Sequence, residues 1–342
     1  MRALLREARR GAALARLEHE KGGLVVGHFV GDDARQVVTG GEDGTLRLWR
    51  EEGGGWTQAA RWAAAGKVQR LARDAGRRRV VAATSEGPLL WLDPLEPDAR
   101  PHAAVILPDL TALGLSADGA LACAAPREPL RGPHRVRLVD LRARRLGEEL
   151  GGTRSPVKAV AVTRGGLLLT CSGEPFDVGR GQGEVEHTLI AWDLATGAER
   201  WRLALVTEVT CLALAPDERL VAAGTTSGQV FLVPIEGPEG ARELVSAAVG
   251  RDLGPFRRAM AHGDGVKGLA FSGDGARLCS VARRSAGEDR GELRLWSVDD
   301  GRELRPAVAC PLPTSLDLSP AGDVALLGTH LGRVELWAAD PD

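Results

Sequence analysis

Two polar residues, Asp317 and His28, interrupt apolar segments, and their side chains can form a hydrogen-bonded pair. Asp317 lies within SLDLS and His28 within VVGHFV, at positions where comparable segments carry small or aliphatic residues. An Asp–His pair can act as a general base, and an unpaired buried Asp costs on the order of several kcal/mol. We predict a buried hydrogen-bonded pair between His28 and Asp317. A catalytic dyad and a hydrated Asp facing a channel are the alternatives.

The other reactive residues lack the surroundings that catalysis needs. Cys171 and His187 flank one segment, but a thiol nucleophile needs a third group and a cleft, so a buried strand cysteine is predicted. The glycine-rich run at 179–183 lies between two strands rather than before a helix, which favours a loop over a phosphate site. The seven His residues show no paired metal spacing. We therefore expect no enzyme activity, no cofactor and no metal.

Composition restricts the class of partner and the compartment. The 342 residues carry 44 Lys and Arg against 46 Asp and Glu, for a net charge of -2, which argues against nucleic acid and anionic membranes. No apolar run reaches the length of a membrane helix, and the N-terminus has no apolar core typical of a secretory signal. Five scattered cysteines, an odd number without a CxxC pair, indicate reduced thiols. The prediction is a cytoplasmic protein.

The elements that must position these residues form a repeat. A short apolar run recurs seven times, as TLRLWR, PLLWLD, RVRLVD, LIAWDL, QVFLVP, ELRLWS and VELWAA. Each run follows another apolar segment, which itself follows a turn containing Gly or Asp. From Trp49 to Trp337 there are six steps of about 48 residues each, near the roughly 40–45 of a four-stranded propeller blade. The pattern predicts seven β units.

These units resemble WD repeats over residues 12–342, as a degenerate and bacterial-looking member. In that family a His, a Ser or Thr, an Asp and a Trp are hydrogen-bonded in series within a blade. The first unit matches with His19, Thr39, Asp43 and Trp49. The sixth matches with His262, Ser280 and Trp296, and with Asp289 as a displaced candidate for the acid. The fourth keeps Thr170 and Trp192.

The repeat and the resemblance together imply an all-β fold, a seven-bladed β-propeller with four antiparallel strands in each blade. The last unit has no room for an outer strand, so residues 12–19 are expected to supply it from the N-terminus and remove an exposed edge. We assign residues 11–342 to a single propeller. Residues 1–10 are an N-terminal extension, either a solvated helix or tail, or a helix that docks on a partner.

Three insertions interrupt the fourth to sixth units. They span about 173–186, 235–256 and 283–292, and they carry aromatic and Arg residues of the kind enriched at interface hot spots. The candidate partner-binding residues are Phe176, Arg180, Phe256, Arg257, Arg258, Arg283 and Arg284. Plain surface loops are the alternative interpretation.

What the resemblance implies is a non-catalytic protein–protein interaction scaffold, or an accessory subunit of a multiprotein complex. The partners would be proteins, with no nucleic acid and no membrane, and the propeller would be monomeric within a hetero-complex. The alternatives are a sensor that binds a peptide or small ligand in the axial channel, and a propeller hydrolase.

Overall fold

The computed structural model describes residues 13–107, 109–127, 133–173, 187–253, 256–284 and 290–339, with side chains for all of these except 247–253 and 256–259. Within these ranges the chain forms thirty β-strands and contains no helix long and apolar enough to cross a bilayer. The proposed extension, residues 1–10, lies outside the described residues.

The strands fall into seven blades that follow one another along the chain. One strand precedes them, β1 (Ala15–Glu18). Blade 1 contains β2 (Val25–Val30), β3 (Gln36–Gly41), β4 (Thr45–Glu52) and β5 (Gly55–Ala63). Blade 2 contains β6 (Val68–Arg73), β7 (Val80–Thr84), β8 (Pro88–Leu92) and β9 (His102–Ile106). Blade 3 contains β10 (Leu110–Leu115), β11 (Leu121–Pro126), β12 (His134–Asp140) and β13 (Arg145–Thr153).

The fourth to seventh blades are interrupted by one additional hairpin. Blade 4 contains β14 (Val157–Val162), β15 (Leu167–Ser172), β16 (Thr188–Asp193) and β17 (Glu199–Ala204). Blade 5 contains β18 (Val209–Leu214), β19 (Leu220–Thr225), β20 (Val230–Pro234) and β21 (Arg242–Leu244). The hairpin is β22 (Ser246–Leu253) and β23 (Phe256–Met260). Blade 6 contains β24 (Val266–Phe271), β25 (Arg277–Arg283), β26 (Arg290–Ser297) and β27 (Val308–Pro311). Blade 7 contains β28 (Pro313–Leu318), β29 (Val324–Thr329) and β30 (Arg333–Ala338).

Each blade is an antiparallel sheet of four strands, and the blades form a closed ring. The first strand of each blade packs beside the first strand of the next, and β28 packs against β2 to complete the circle. Two sets of loops therefore lie on opposite faces. The upper face is formed by the loops between blades and between second and third strands, such as 64–67, 205–208 and 330–332. The lower face is formed by the turns after each first strand, such as 74–79 and 116–120.

Blade 7 takes its outer strand from the N-terminus, as predicted. Strand β1 pairs antiparallel with β30, with Ala15 opposite Leu336 and Leu17 opposite Val334. Leu17 is buried between the last blade and Phe29 of the first. Burying one such side chain contributes about 1.5–3 kcal/mol. The closure thus combines a hydrogen-bonded edge with apolar packing.

The seven repeated runs occupy the same place in every sheet. Their last large residue lies in the third strand, opposite a fixed position of the second strand. The seven pairs are Trp49–Val37, Leu92–Val80, Val139–Ala122, Trp192–Leu168, Val233–Val221, Trp296–Leu278 and Trp337–Ala325. Three Trp positions of the repeat are therefore filled by Leu or Val without a change of register.

The turns explain why the chain reverses where it does. In the turn after β10, the Ser116 hydroxyl donates to Asp118 at 2.6 Å, and Asp118 accepts the backbone N–H of Ala120. Gly119 closes this turn with φ of 66°, in the left-handed region that glycine adopts without a side-chain clash. The same Ser–Asp arrangement follows β24. These local bonds place the second strand beside the first.

Candidate functional site

Blade 1 contains a chain of hydrogen bonds that starts in the segment after β1. Nε2 of His19 lies 2.8 Å from Oγ1 of Thr39, which also accepts the indole N–H of Trp49 at 2.8 Å. Nδ1 of His19 lies 3.0 Å from a carboxylate oxygen of Asp43. These contacts are satisfied when Nδ1 carries the proton and donates to Asp43, while Thr39 donates to Nε2.

Arg47 adds a charge that sequence reasoning missed. Its guanidinium donates to the second oxygen of Asp43 at 2.6 Å. Burial alone raises the pKa of Asp43, but the bonds from His19 and Thr45 outweigh it and hold that pKa below its usual range. Burial also lowers the pKa of His19 despite the nearby carboxylate. The network therefore favours a neutral imidazole beside a charged carboxylate.

Blade 6 repeats this arrangement with a different acid. Nε2 of His262 lies 2.7 Å from Oγ of Ser280, and Ser280 accepts the N–H of Trp296 at 2.8 Å. The acid that faces Nδ1 of His262 is Glu292, at 2.6 Å. Asp289, the candidate from the sequence, lies outside the described residues.

The sequence Leu-Arg-Leu-Trp, which blades 1 and 6 share, could have revealed the position of Glu292. Glu292 precedes Trp296 by four residues, whereas Asp43 precedes Trp49 by six, in the turn before the strand. Both runs continue as Leu-Arg-Leu-Trp, and the Arg of each reaches the local acid. A search for a carboxylate within reach of this Arg would have found Glu292.

The other blades keep less of the network. In blade 4, Thr170 accepts the N–H of Trp192 at 2.9 Å. In blade 7, Trp337 donates instead to the buried carboxylate of Glu335 at 3.1 Å. Blades 2, 3 and 5 carry alanine where blade 1 has Thr39, at Ala82, Ala124 and Ala223.

Asp317 and His28 lie side by side where blades 7 and 1 meet. Oδ2 of Asp317 is 3.3 Å from Nδ1 of His28, at ion-pair distance without hydrogen-bond alignment. Nε2 of His28 donates to the backbone carbonyl of Leu71 at 3.0 Å. Each of these three residues belongs to a different blade, so the imidazole spans blades 7, 1 and 2.

The main partner of Asp317 is Arg73, on the first strand of blade 2. Nε and Nη2 of Arg73 donate to the two carboxylate oxygens at 3.2 and 3.1 Å. The same oxygens accept the backbone N–H groups of Phe29 at 2.9 Å and Leu318 at 2.9 Å. Although burial raises the pKa of Asp317, the charge of Arg73 and the contact with His28 outweigh it, and the pKa is strongly lowered. Asp317 is therefore a charged, fully bonded carboxylate.

Thiol and metal chemistry find no support in the described residues. Cys171 is buried and donates to the carbonyl of Val209 at 3.6 Å, and burial raises its pKa, so the thiol stays protonated at neutral pH. No group of three or more His, Cys, Asp or Glu residues in the described ranges could hold a metal ion.

Comparison with known protein families identifies the segment that contains the hydrogen-bond network of blade 1. A family model, WD domain, G-beta repeat, matches residues 15–50, which run from β1 through the Trp of blade 1. The match includes the whole His19–Thr39–Asp43–Trp49 network, in the first blade of a seven-bladed ring. The chain is a seven-bladed propeller whose first blade is a WD repeat. No curated protein matches it.

The three insertions differ in where they join the ring. Two connect the second and third strands of blades 4 and 6, whose adjoining ends lie at the upper face. The third, about 235–256, contains the lower turn before β21, the outer strand β21 of blade 5 and part of the hairpin that leads into blade 6. The hairpin is fixed at its base, because the Ser246 hydroxyl donates to Glu303 at 2.6 Å and accepts from Arg294 at 3.0 Å.

The candidate partner-binding residues are placed unevenly by the structure. Arg283 ends β25 half-buried, and Arg284 follows it on the upper face, exposed. Phe256, Arg257 and Arg258 lie in β23, where the backbone alone is described. Phe176 and Arg180 lie outside the described residues.

Exposed apolar side chains concentrate on the same face. Four of the six large hydrophobic residues that are exposed in the described ranges lie in or beside its loops: Ile106, Val206, Val245 and Leu331. Val206 is 84% exposed and Leu331 59%. The upper face therefore offers apolar anchors as well as insertions.

Proposed function

We propose that this WD-repeat propeller is a non-catalytic scaffold that binds protein partners through its upper face. WD-repeat propellers generally serve as protein-interaction scaffolds. The observation that carries the proposal is that four exposed apolar side chains lie on the upper face, which also holds the hairpin β22–β23 and the strand ends that two of the insertions join. Apolar anchors with a polar surround are typical of partner surfaces.

The rigid ring supports this role energetically. The paired strands of the ring hold the ends of the loops of the upper face in place, which lowers the cost of ordering this surface on binding. The near-neutral net charge favours protein partners over nucleic acid or anionic lipid. We propose a monomeric propeller that functions as one subunit of a hetero-complex.

The proposal includes no active site. The His28–Asp317 pair would have to accept a proton from a substrate to act as a base. Both carboxylate oxygens already accept two N–H groups, and Nε2 of His28 donates to Leu71. We infer a structural role for the pair. Five buried or half-buried thiols, all free, support a reducing compartment such as the cytoplasm.

The test compares variants on opposite faces of the ring. Val206→Asp and Leu331→Asp each place a charge on the upper face, and Leu146→Asp is the matched control at an exposed lower-face position. Partners are recovered from the source cells by cross-linking, then purified and titrated against each variant. The proposal predicts at least about tenfold weaker binding for both upper-face variants. Equal binding by all three variants would contradict it.

A further inference from the structure

A cavity of about 600 Å³ runs along the ring axis and opens toward the lower face. The first strands of the blades form its wall, and the turns 74–77 and 215–218 contribute to its mouth. This volume lies within the range of about 300–1,000 Å³ that small-molecule sites occupy.

One side of the cavity is apolar. The fourth residue of each first strand faces the axis, and six of the seven are aliphatic: Leu71, Leu113, Val160, Leu212, Leu269 and Leu316. On blades 3 to 6 the sixth residue is also apolar, as Leu115, Val162, Leu214 and Phe271. A hydrocarbon of several carbons can therefore be surrounded over blades 3 to 6.

The opposite side is polar and can donate hydrogen bonds. It consists of His28, Arg73 and Asp317, on blades 1, 2 and 7. Asp317 has two donors on each oxygen and no capacity to recognise another. A guanidinium has five N–H groups, and Arg73 uses three of them, on Asp317 and on the carbonyl of Asp74. The remaining hydrogen-bonding capacity of this wall is in the N–H groups of Arg73, which require an acceptor, and in Nδ1 of His28, which forms no hydrogen bond.

Four of the five charged residues at the mouth have contacts of their own, and the fifth, Asp32, is a carboxylate whose charge acts on Arg77. Arg164 lies 3.9 Å from Glu218, which also accepts its backbone N–H. Asp74 accepts two N–H groups of its own turn. Arg77 is buried and donates both terminal nitrogens to the carbonyl of Leu318, so its positive charge remains beside Arg73.

We propose that the axial cavity binds a small amphipathic carboxylate, with the carboxylate on Arg73 and the apolar body against the Leu and Val side chains of blades 3 to 6. A carboxylate receives charge-assisted hydrogen bonds from the free N–H groups of Arg73. A cationic head group would be repelled by the guanidinium groups of Arg73 and Arg77 at the same place. This site is independent of the upper face and of its protein partners.

The direct test is a titration of the full chain with three probes of equal tail length. Octanoate, octanol and octylamine are compared by calorimetry and by the shift in melting temperature. The proposal expects octanoate to bind at least about tenfold more tightly than octanol, and octylamine not to bind. A fourth probe, N-acetyl-leucyl-leucine with a free carboxylate, distinguishes a peptide C-terminus from a free acid as the source of the group. Binding of neither carboxylate at millimolar concentration overturns the proposal.

Two variants locate the site. Leu212→Trp fills the apolar side and is expected to weaken the carboxylate at least about tenfold. The double variant Arg73→Met, Asp317→Leu removes the head-group contact without leaving an unpaired charge, and should weaken octanoate but not octanol. Val206→Ser, on the upper face, is the control. Unchanged octanoate binding in either folded cavity variant would overturn the proposal, and the scaffold role would be unaffected.

Discussion

Blade 1 and blade 5 have the same order of four strands and the same register between their second and third strands, but they are held together differently. In blade 1, Trp49 and Thr39 belong to a polar network that reaches His19 and a charged Asp43. Blade 5 carries Val233 and Ala223 at the equivalent places and packs through apolar contacts. The network is thus not required to form a blade.

The difference follows the connections between blades. His19 lies where the ring closes, between strand β1 of blade 7 and the first strand of blade 1. His262 lies at the end of the hairpin connection that leads into blade 6. Blade 5, by contrast, follows blade 4 through the short loop 205–208. The two full networks therefore lie at the ring closure and at the hairpin connection into blade 6.

The largest effect is expected from breaking the Asp317 contacts at the ring closure. Asp317→Ala leaves Arg73 and two backbone N–H groups without their acceptor, and should lower the free energy of unfolding by about 3–5 kcal/mol. Urea denaturation measures the change. The double variant Arg73→Met, Asp317→Leu should recover only the part due to the unpaired charge of Arg73, because the N–H groups of Phe29 and Leu318 still lack an acceptor. A loss below about 1 kcal/mol for Asp317→Ala would show that the closure does not depend on this cluster.

A smaller effect separates the full network of blade 1 from the partial one of blade 4. Thr39→Val removes the hydroxyl that bonds both His19 and Trp49, and should lower the free energy of unfolding by about 2 kcal/mol. Thr170→Val removes the hydrogen-bond acceptor of Trp192 alone and should lower the free energy of unfolding by about 1 kcal/mol. Urea denaturation of the two variants gives the comparison. Equal losses would mean that the imidazole adds nothing to blade 1.

Acid should weaken the closure through Asp317. Because its pKa is lowered in the folded protein, the unfolded chain, with an Asp pKa of about 3.9, takes up the proton first as the pH falls. The stabilisation is complete well above pH 4 and is lost on acidification. Between pH 5 and pH 3 this carboxylate should account for about 1 kcal/mol. Urea unfolding of the wild type and the double variant across this range measures the difference, and parallel curves would contradict it.

The smallest effect is expected from an exposed pair on blade 2. Arg78 lies 3.2 Å from Asp93, with 60% of the Arg side chain exposed. Arg78→Ala should change the free energy of unfolding by at most about 1 kcal/mol, because solvent screens this pair. The contrast with Asp317→Ala tests whether burial decides the strength of an Arg–carboxylate pair in this ring. A comparable loss in urea denaturation would refute that view.

Local patterns in the sequence were sufficient to predict the fold. The spacing of the apolar runs and turns gave seven units, and the short last unit indicated that residues 12–19 would complete it. These features depend on the alternation of side chains along a strand and on turn chemistry within about five residues. Both are readable without a structure.

The residues that pair with one another in the polar clusters could not be predicted from local sequence patterns. Arg73 is 244 residues from Asp317, and only the ring closure brings blades 2 and 7 together around blade 1. One signal was present, since Arg73 is polar at a position where Leu115, Val162 and Leu214 are apolar. Glu292 was missed because the search followed the six-residue spacing of blade 1.

The pairing of β1 with β30 has a consequence for synthesis of the chain. The ribosome makes residues 15–18 first and residues 333–338 more than 300 residues later. At about 5–20 residues per second, the nascent β1 waits roughly 15–60 s for its partner. Throughout that time the apolar flank of blade 1 around Phe29 has no neighbour to cover it. Chaperones that hold nascent chains would be needed most at this flank until blade 7 has left the ribosome.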